Sequence, residues 1–422
     1  MWIKGGTIID PANGIEQTGD IHVREDLIAG VYLDGCPEAD EEVIDASGLW
    51  VLPGLIDMHV HLREPGYEYK EDIASGSRAA AASGVTTVVC MPNTDPVNDN
   101  PSVTRYIVEK ARHTSLVRVL PAGAITRELK GTDLSEMGLM KDAGIVAVTD
   151  DGRSVADSSV MRRGMEYAAT FGLPVITHCQ DAHLGASGVM NESELSSRLG
   201  LPGIPGAAEE IMISRDLHLA RYTGLPVHIT HISTATGLEL IRQARLSGVQ
   251  VSCDVTPHHL LLTEERVRGY DTNAKMYPPL RTEQDRLALI EGIRSGVVDC
   301  IATDHAPHAR DEKDLDFDLA PFGVIGLQTL LPAVHRLHRE HGIPFSELLA
   351  RITVNPARVL GIDGGSLSPG SRADVVLFDP QARWVFTQEQ VLSKSANSPF
   401  LGCEFTGRVV RTIVQGRTVY RL

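Results

Sequence analysis

No CxxC pair occurs among the six cysteines, Cys36, Cys90, Cys179, Cys253, Cys300 and Cys403. The scatter excludes a zinc ribbon or a thioredoxin-like redox motif. A chain of 422 residues buries a large core without disulfide staples. The thiols are therefore expected to be reduced, in a cytoplasmic protein. No apolar run approaches the length of a membrane span. The opening MWIKGGTIID has no basic region followed by an apolar stretch, so no secretory leader is expected. Positive charge is also scarce: 39 Lys and Arg stand against 55 Asp and Glu, for a net charge of −16. That balance argues against nucleic acid or an anionic membrane as partner. An anionic substrate would have to be met by local positive charge, either a metal or a placed arginine.

What the chain does contain is periodic. Residues 1–50 read as short strands broken by Gly and Asn turns: WIKGGTIID, GDIHVRED and LIAGVYL. Residues 366–422 behave alike, with SPGSRADVVLFD followed by GRVVRTIVQGRTVYR. Both ends are expected to join one small β-sandwich module around a different middle, 51–365. In that middle, short β-branched runs alternate with helix-like stretches such as EDIASGSRAAAASG. The runs fall at 51–61, 86–93, 117–125, 146–151, 174–179, 227–233, 251–260 and 300–308. Eight strand–helix units predict a parallel (β/α)8 barrel. No GxGxxG follows the first run, which disfavours an open doubly wound sheet.

Metal-competent residues cluster near the ends of these runs, at the rim where barrel enzymes place their active sites. His59 and His61 are two apart on one strand and share a face. Asp150 and Asp151 end the fourth run, His178 ends the fifth, His231 lies in the sixth and Asp304 ends the eighth. One strand-end histidine is usually structural; four with carboxylates at one rim point to a metal site. Imidazole plus carboxylate suits Zn²⁺. Six candidate ligands exceed one tetrahedral site, so two metals bridged by a carboxylate and a hydroxide are expected. Spacing leaves open which of Asp150 and Asp151 is the bridge. His228, three before His231, is expected on the opposite strand face. Of His258 and His259, only one can face the barrel interior. His22, His113, His218, His335, His338 and His341 are expected on the surface.

The motif PGLIDMHVHLREPG (53–66) resembles the amidohydrolase superfamily, in its cyclic-amidohydrolase branch. MPNT (91–94), TDDG (149–152), THCQD (177–181), ITHIST (229–234), NAKMYPPLR (273–281), ATDHAPH (302–308) and APFGVIGLQT (320–329) narrow the resemblance to the class I dihydroorotases of bacteria. It spans essentially the whole chain. It implies zinc-dependent, reversible hydrolysis of (S)-dihydroorotate to N-carbamoyl-L-aspartate in de novo pyrimidine (UMP) biosynthesis. It makes His59 and His61 ligands of one zinc, His178 and His231 ligands of the second, and Asp151 with hydroxide the bridge. Asp304 becomes a metal contact and the proton shuttle. Substrate contacts fall on His61, Arg63, Asn93, His308, Phe322 and Gly323. Tyr277 departs from the pattern, standing where the family usually carries a substrate-contacting Asn. Gln328 replaces a more usual Glu, with only an indirect effect expected. The resemblance also implies a homodimer, or a complex with aspartate transcarbamoylase.

Two rival classes fit the sequence less well. Allantoinases and hydantoinases usually bridge their metals with a carboxylated lysine, and TDDG has none. A neutral hydantoin ring would also leave Arg63 without a carboxylate to pair. A non-catalytic partner of aspartate transcarbamoylase would not require a full ligand set. Arg63 itself could be a substrate clamp, or could pair with Glu64 or Glu68. The charged segment 310–323, which follows the last strand, is read as a lid or an ordinary loop.

Overall fold

The eight predicted strands form two four-stranded parallel sheets. Leu55–Val60, Val85–Cys90, Arg118–Gly123 and Ala147–Val148 make the first. Ile176–Thr177, Val227–Ile229, Val251–Val255 and Cys300–Ile301 make the second. Single parallel bridges, Val148 to Val175 and Val60 to His305, close the two seams into a (β/α)8 barrel. The computed structural model describes residues 1–35 and 41–422, so Cys36 lies outside the described residues.

The first two barrel strands are buried at every position, as parallel strands covered on both faces must be. Helices start where a side chain can take the free amides of the first turn. Asp72 accepts Ser75 N at 2.7 Å ahead of Ile73–Ala82, and Asp157 accepts Ser159 N at 2.7 Å ahead of Ser158–Thr170. Several strands are shorter than the apolar runs that announced them. In the run 146–151, only Ala147–Val148 keeps ladder pairing, and the chain then turns over the barrel mouth.

The two termini share one eight-stranded sheet. Its order runs Arg417–Arg421, Glu404–Val414, Val375–Val385, Trp50–Pro53, Trp2–Asp10, Ile15–Arg24 and Leu27–Tyr32, with Val43–Asp45 also paired to Trp2–Asp10. This module has its own apolar core, including Ile3, Ile8, Ile21, Val51, Val375, Leu377 and Ile413. Because Trp50–Pro53 pairs into it, we propose that the barrel proper begins at Gly54.

His335 corrects the surface assignment. Its helix, Leu330–His341, packs on Glu404–Val414. The imidazole is buried beside Trp50, Phe345 and Phe378, with Nδ1 2.8 Å from Thr406 O. Both His258 and His259 are buried. The five described cysteines are free thiols, and all but Cys403 are buried. Among the described residues, no helix is long and apolar enough to cross a membrane.

Candidate metal centre

At the C-terminal rim the loops bring together what the sequence keeps far apart. His59, His61 and Asp151 form one group of metal-competent atoms, and Asp151, His178 and His231 form a second, all five residues buried. Asp151 belongs to both. Its Oδ2 lies 3.3 Å from His59 Nε2 and 3.4 Å from His61 Nε2. Its Oδ1 lies 3.6 Å from His178 Nδ1 and 3.5 Å from His231 Nε2. Asp304 Oδ1 stands 3.0 Å from His61 Nε2 and 3.4 Å from His59 Nε2. Asp150 is excluded from this role, because its Oδ1 already holds the amides of Ile125 and Thr126 at 2.7 and 2.9 Å.

The outward ring nitrogens are also placed. His59 Nδ1 meets Thr230 Oγ1 at 2.9 Å, and His61 Nδ1 meets Asn93 Oδ1 at 2.9 Å. Asn93 Oδ1 only accepts, so the His61 contact keeps a proton on Nδ1, while Thr230 can donate or accept. Both contacts turn Nε2 toward the aspartates, the orientation a metal-ligating imidazole needs. His59 Nε2 and Asp151 Oδ1 have no hydrogen-bond partner although both are buried. Such orphans are costly unless something else satisfies them, and an N/O donor set fits first-row divalent metals. Burial opposes an imidazolium at His59, but Asp151 and Asp304 outweigh it and hold its pKa up at about 10. Burial likewise opposes ionisation of Asp304, yet the surrounding histidines hold its carboxyl well below the ordinary range.

Two of these side chains sit on strained backbone. His231 has φ +36° and Asp304 +47°, and neighbouring Arg63 has +62°. Left-handed non-glycine residues persist only where surrounding structure enforces them, and they gather at functional sites.

A cavity of about 700 Å³ opens above the rim. Eleven of the twelve singled-out residues line it: His61, Arg63, Asn93, Asp151, His178, His231, Tyr277, Asp304, His308, Phe322 and Gly323. His59 lies beneath, 2% exposed. Arg63 donates Nε–H to Pro307 O at 3.2 Å, and among the described residues it makes no ion pair. Glu64 is turned away to Tyr106 and Lys110, at 3.0 and 3.1 Å. Glu68 takes the Gly66 amide at 2.9 Å. His308 lies beside the guanidinium with Nε2 2.8 Å from Phe322 O. A carbonyl only accepts, so the proton is on Nε2. Burial, with Arg63 and Lys70 nearby, lowers this histidine to about 3 and keeps it neutral. Gly323 has φ +137°, and a Cβ there would meet Ala306 O at 2.8 Å, so a glycine is required. Tyr277 stacks on His178 with centroids 5.1 Å apart and also packs 5.1 Å from Phe322. Burial pushes its phenol up to about 12, leaving it a neutral wall with a donor at its tip. Arg153 lines the cavity as well; no spacing pattern marks it.

A closed parallel barrel whose C-terminal rim gathers four histidines and two aspartates that could hold metal is the architecture of the amidohydrolases. Comparison with known proteins agrees. Residues 48–236 match the model of the family described as Dihydro-orotase-like, and residues 220–420 match that of the Amidohydrolase family. The dihydroorotase of Geotalea daltonii is 51% identical over 421 residues, covering 100% of this chain and 99% of its own length. That of Geobacter sulfurreducens is 51% identical over 420 residues, with the same coverage. Among solved structures, the L-hydantoinase (dihydropyrimidinase) of Arthrobacter aurescens superposes with a TM-score of 0.89 at 25% identity, covering 100% of this chain and 96% of its own. The dihydropyrimidinase of Brevibacillus agri gives 0.88 at 22% identity, with 100% and 95% covered, a likeness of fold. The chain belongs to the dihydroorotase family and is a hydrolase.

Proposed function

We propose that the chain interconverts (S)-dihydroorotate and N-carbamoyl-L-aspartate, as a cytoplasmic step of pyrimidine biosynthesis, with two zinc ions shared by Asp151. His59 and His61 would hold one ion, and His178 and His231 the other. The observation that carries the substrate assignment is Arg63: a guanidinium facing the cavity, paired to no carboxylate among the described residues, beside the metal-competent rim. It suits a ring that bears a carboxylate, paired in bidentate geometry.

When bound, the metals supply Lewis acidity, polarising the ring carbonyl and making water acidic enough to attack near neutral pH. The water oxygen bonds to the carbonyl carbon and the ring C–N bond breaks. Asp304, ionised and 3.0 Å from His61 Nε2, takes the proton that water loses. It then delivers that proton to the departing nitrogen, a poor leaving group unless protonated. Arg63, Asn93, His308 and the Phe322–Gly323 backbone orient the ring. Tyr277 limits it on the His178 side.

Arg63→Met tests the substrate class. Losing a charge-assisted contact of about 2–5 kcal/mol should lower kcat/KM for dihydroorotate by roughly tens- to thousands-fold. Turnover of neutral dihydrouracil or hydantoin, where detectable, should hardly change. Equal losses on charged and neutral rings would mean that Arg63 supports the site and does not read a carboxylate.

The 310–323 segment supports a lid reading. Helix Arg310–Lys313 is latched by Glu312 to Lys70 at 2.8 Å, and the segment ends at Phe322 and Gly323, which line the cavity. Leu315 and Leu319 lie exposed between these anchors. Hydrogen exchange across 314–320 should slow when an orotate-like inhibitor binds. Unchanged exchange would mark an ordinary surface loop.

A further inference from the structure

Beneath the rim, the barrel interior carries a hydrogen-bonded chain that the reaction leaves unused. Asp254 lies on the seventh barrel strand, Val251–Val255, and is 1% exposed. Its Oδ1 accepts the backbone N–H of His231 at 2.7 Å. Its Oδ2 lies 2.8 Å from His228 Nε2, and His228 Nδ1 lies 2.7 Å from Ser252 Oγ. A carboxylate only accepts, so His228 carries a proton on Nε2.

The chain ends on the one amide whose conformation matters most. Along an extended strand, alternate residues face opposite sides. Thr230 touches His59 while its neighbour His231 touches His178 and Asp151, so both reach the same site. The left-handed φ of +36° at His231 makes this possible. An L residue relaxes from that conformation unless something holds it. Asp254 holds the His231 amide directly, and His228 holds Asp254. A purely structural core would gain by replacing this buried carboxylate and imidazole with apolar groups of similar volume.

We propose that Asp254, supported by His228, is a positioning residue that keeps His231 in its left-handed turn and so completes the second metal group. The inference rests on the two-metal reading above. It concerns the group formed by Asp151, His178 and His231.

The test is zinc content by elemental analysis and zinc affinity by chelator competition, on the full chain reconstituted with zinc. Asp254→Leu fills the space and removes the acceptor. It should retain one zinc tightly and weaken the other by roughly 10- to 100-fold. Asp254→Asn should stay near wild type: its amide oxygen still accepts from His231, and its N–H₂ donates to His228 once that ring moves its proton to Nδ1. His228→Phe leaves the acceptor for His231 in place but unsupported, and should weaken the same zinc by less. Asp10→Ala is the control, a buried carboxylate in the terminal module that holds the Leu367 amide at 2.9 Å; it should keep both ions. Two tightly held zincs in both Asp254→Leu and His228→Phe would overturn the inference. So would equal losses in Asp254→Asn and Asp254→Leu, or an equal loss in Asp10→Ala, which would indicate general destabilisation. If Asp254→Leu does not fold, His228→Phe and Asp254→Asn still decide. A wild-type chain that binds no zinc would instead overturn the metal reading itself, and this inference with it.

Discussion

Removing metal should abolish dihydroorotate turnover, and zinc should restore it. A metal held by the rim residues would make water a competent nucleophile near neutral pH. Asp304 is ionised, but an isolated carboxylate is too weak a base to activate water against an amide. The four rim histidines each bring a ring nitrogen within 3.6 Å of Asp151. The barrel core of closely packed Val, Ile and Leu does not depend on the ions, so the fold should survive. Circular dichroism should therefore stay constant while activity disappears. Full turnover in a sample shown metal-free by elemental analysis would remove the basis of the mechanism.

Asp304→Asn should collapse turnover while leaving the protein folded. The backbone at 304 is left-handed, with φ +47°, and Asn is among the few residues that adopt that conformation readily. Its amide is nearly isosteric with the carboxylate and keeps an oxygen near His61 Nε2. It cannot take a proton from water or return one to the departing nitrogen. General acid–base groups contribute about 10²–10⁴-fold, and the loss should appear in kcat more than in KM. Zinc content measured on the same sample separates proton transfer from metal retention. Near-normal kcat with full zinc would mean that another group moves the proton.

Several features of the site were legible because they are local. HxH on one strand and carboxylates at strand ends need only the two-residue period of a strand and the rule that barrel loops converge on one rim. The position of Arg63 just past His61 needed no more. Other features depended on which partner each group had found. Asp150 and Asp151 are adjacent and chemically identical; only the amides of Ile125 and Thr126, supplied by the preceding strand–loop unit, take Asp150 out of contention. The clamp reading of Arg63 depends on Glu64, which Tyr106 and Lys110, on a helix more than forty positions downstream, hold away from it.

His228 shows why alternation alone misled. Strand periodicity separates it from His231, but φ changes sign at 231 and the ideal alternation ends there. His228 then lies in the same hydrogen-bonded chain as the residue it was expected to face away from. His335 was hidden for a related reason: its helix is amphipathic, and only the docking of the terminal sheet shows that its histidine faces the aromatic cluster.

By itself, then, the sequence determined the barrel, the paired terminal segments and the chemical kinds of group at the rim. Those follow from periodicity and residue type, which act over a few neighbours. Spacing left open which aspartate joins the two groups; the tertiary structure sets Asp151 there, as the resemblance implied. It alone shows where Glu64 goes and which buried carboxylate accepts the His231 amide. Each of those is a competition between donors and acceptors far apart in the chain. A buried polar group goes to whichever partner the closed barrel brings within about 3 Å.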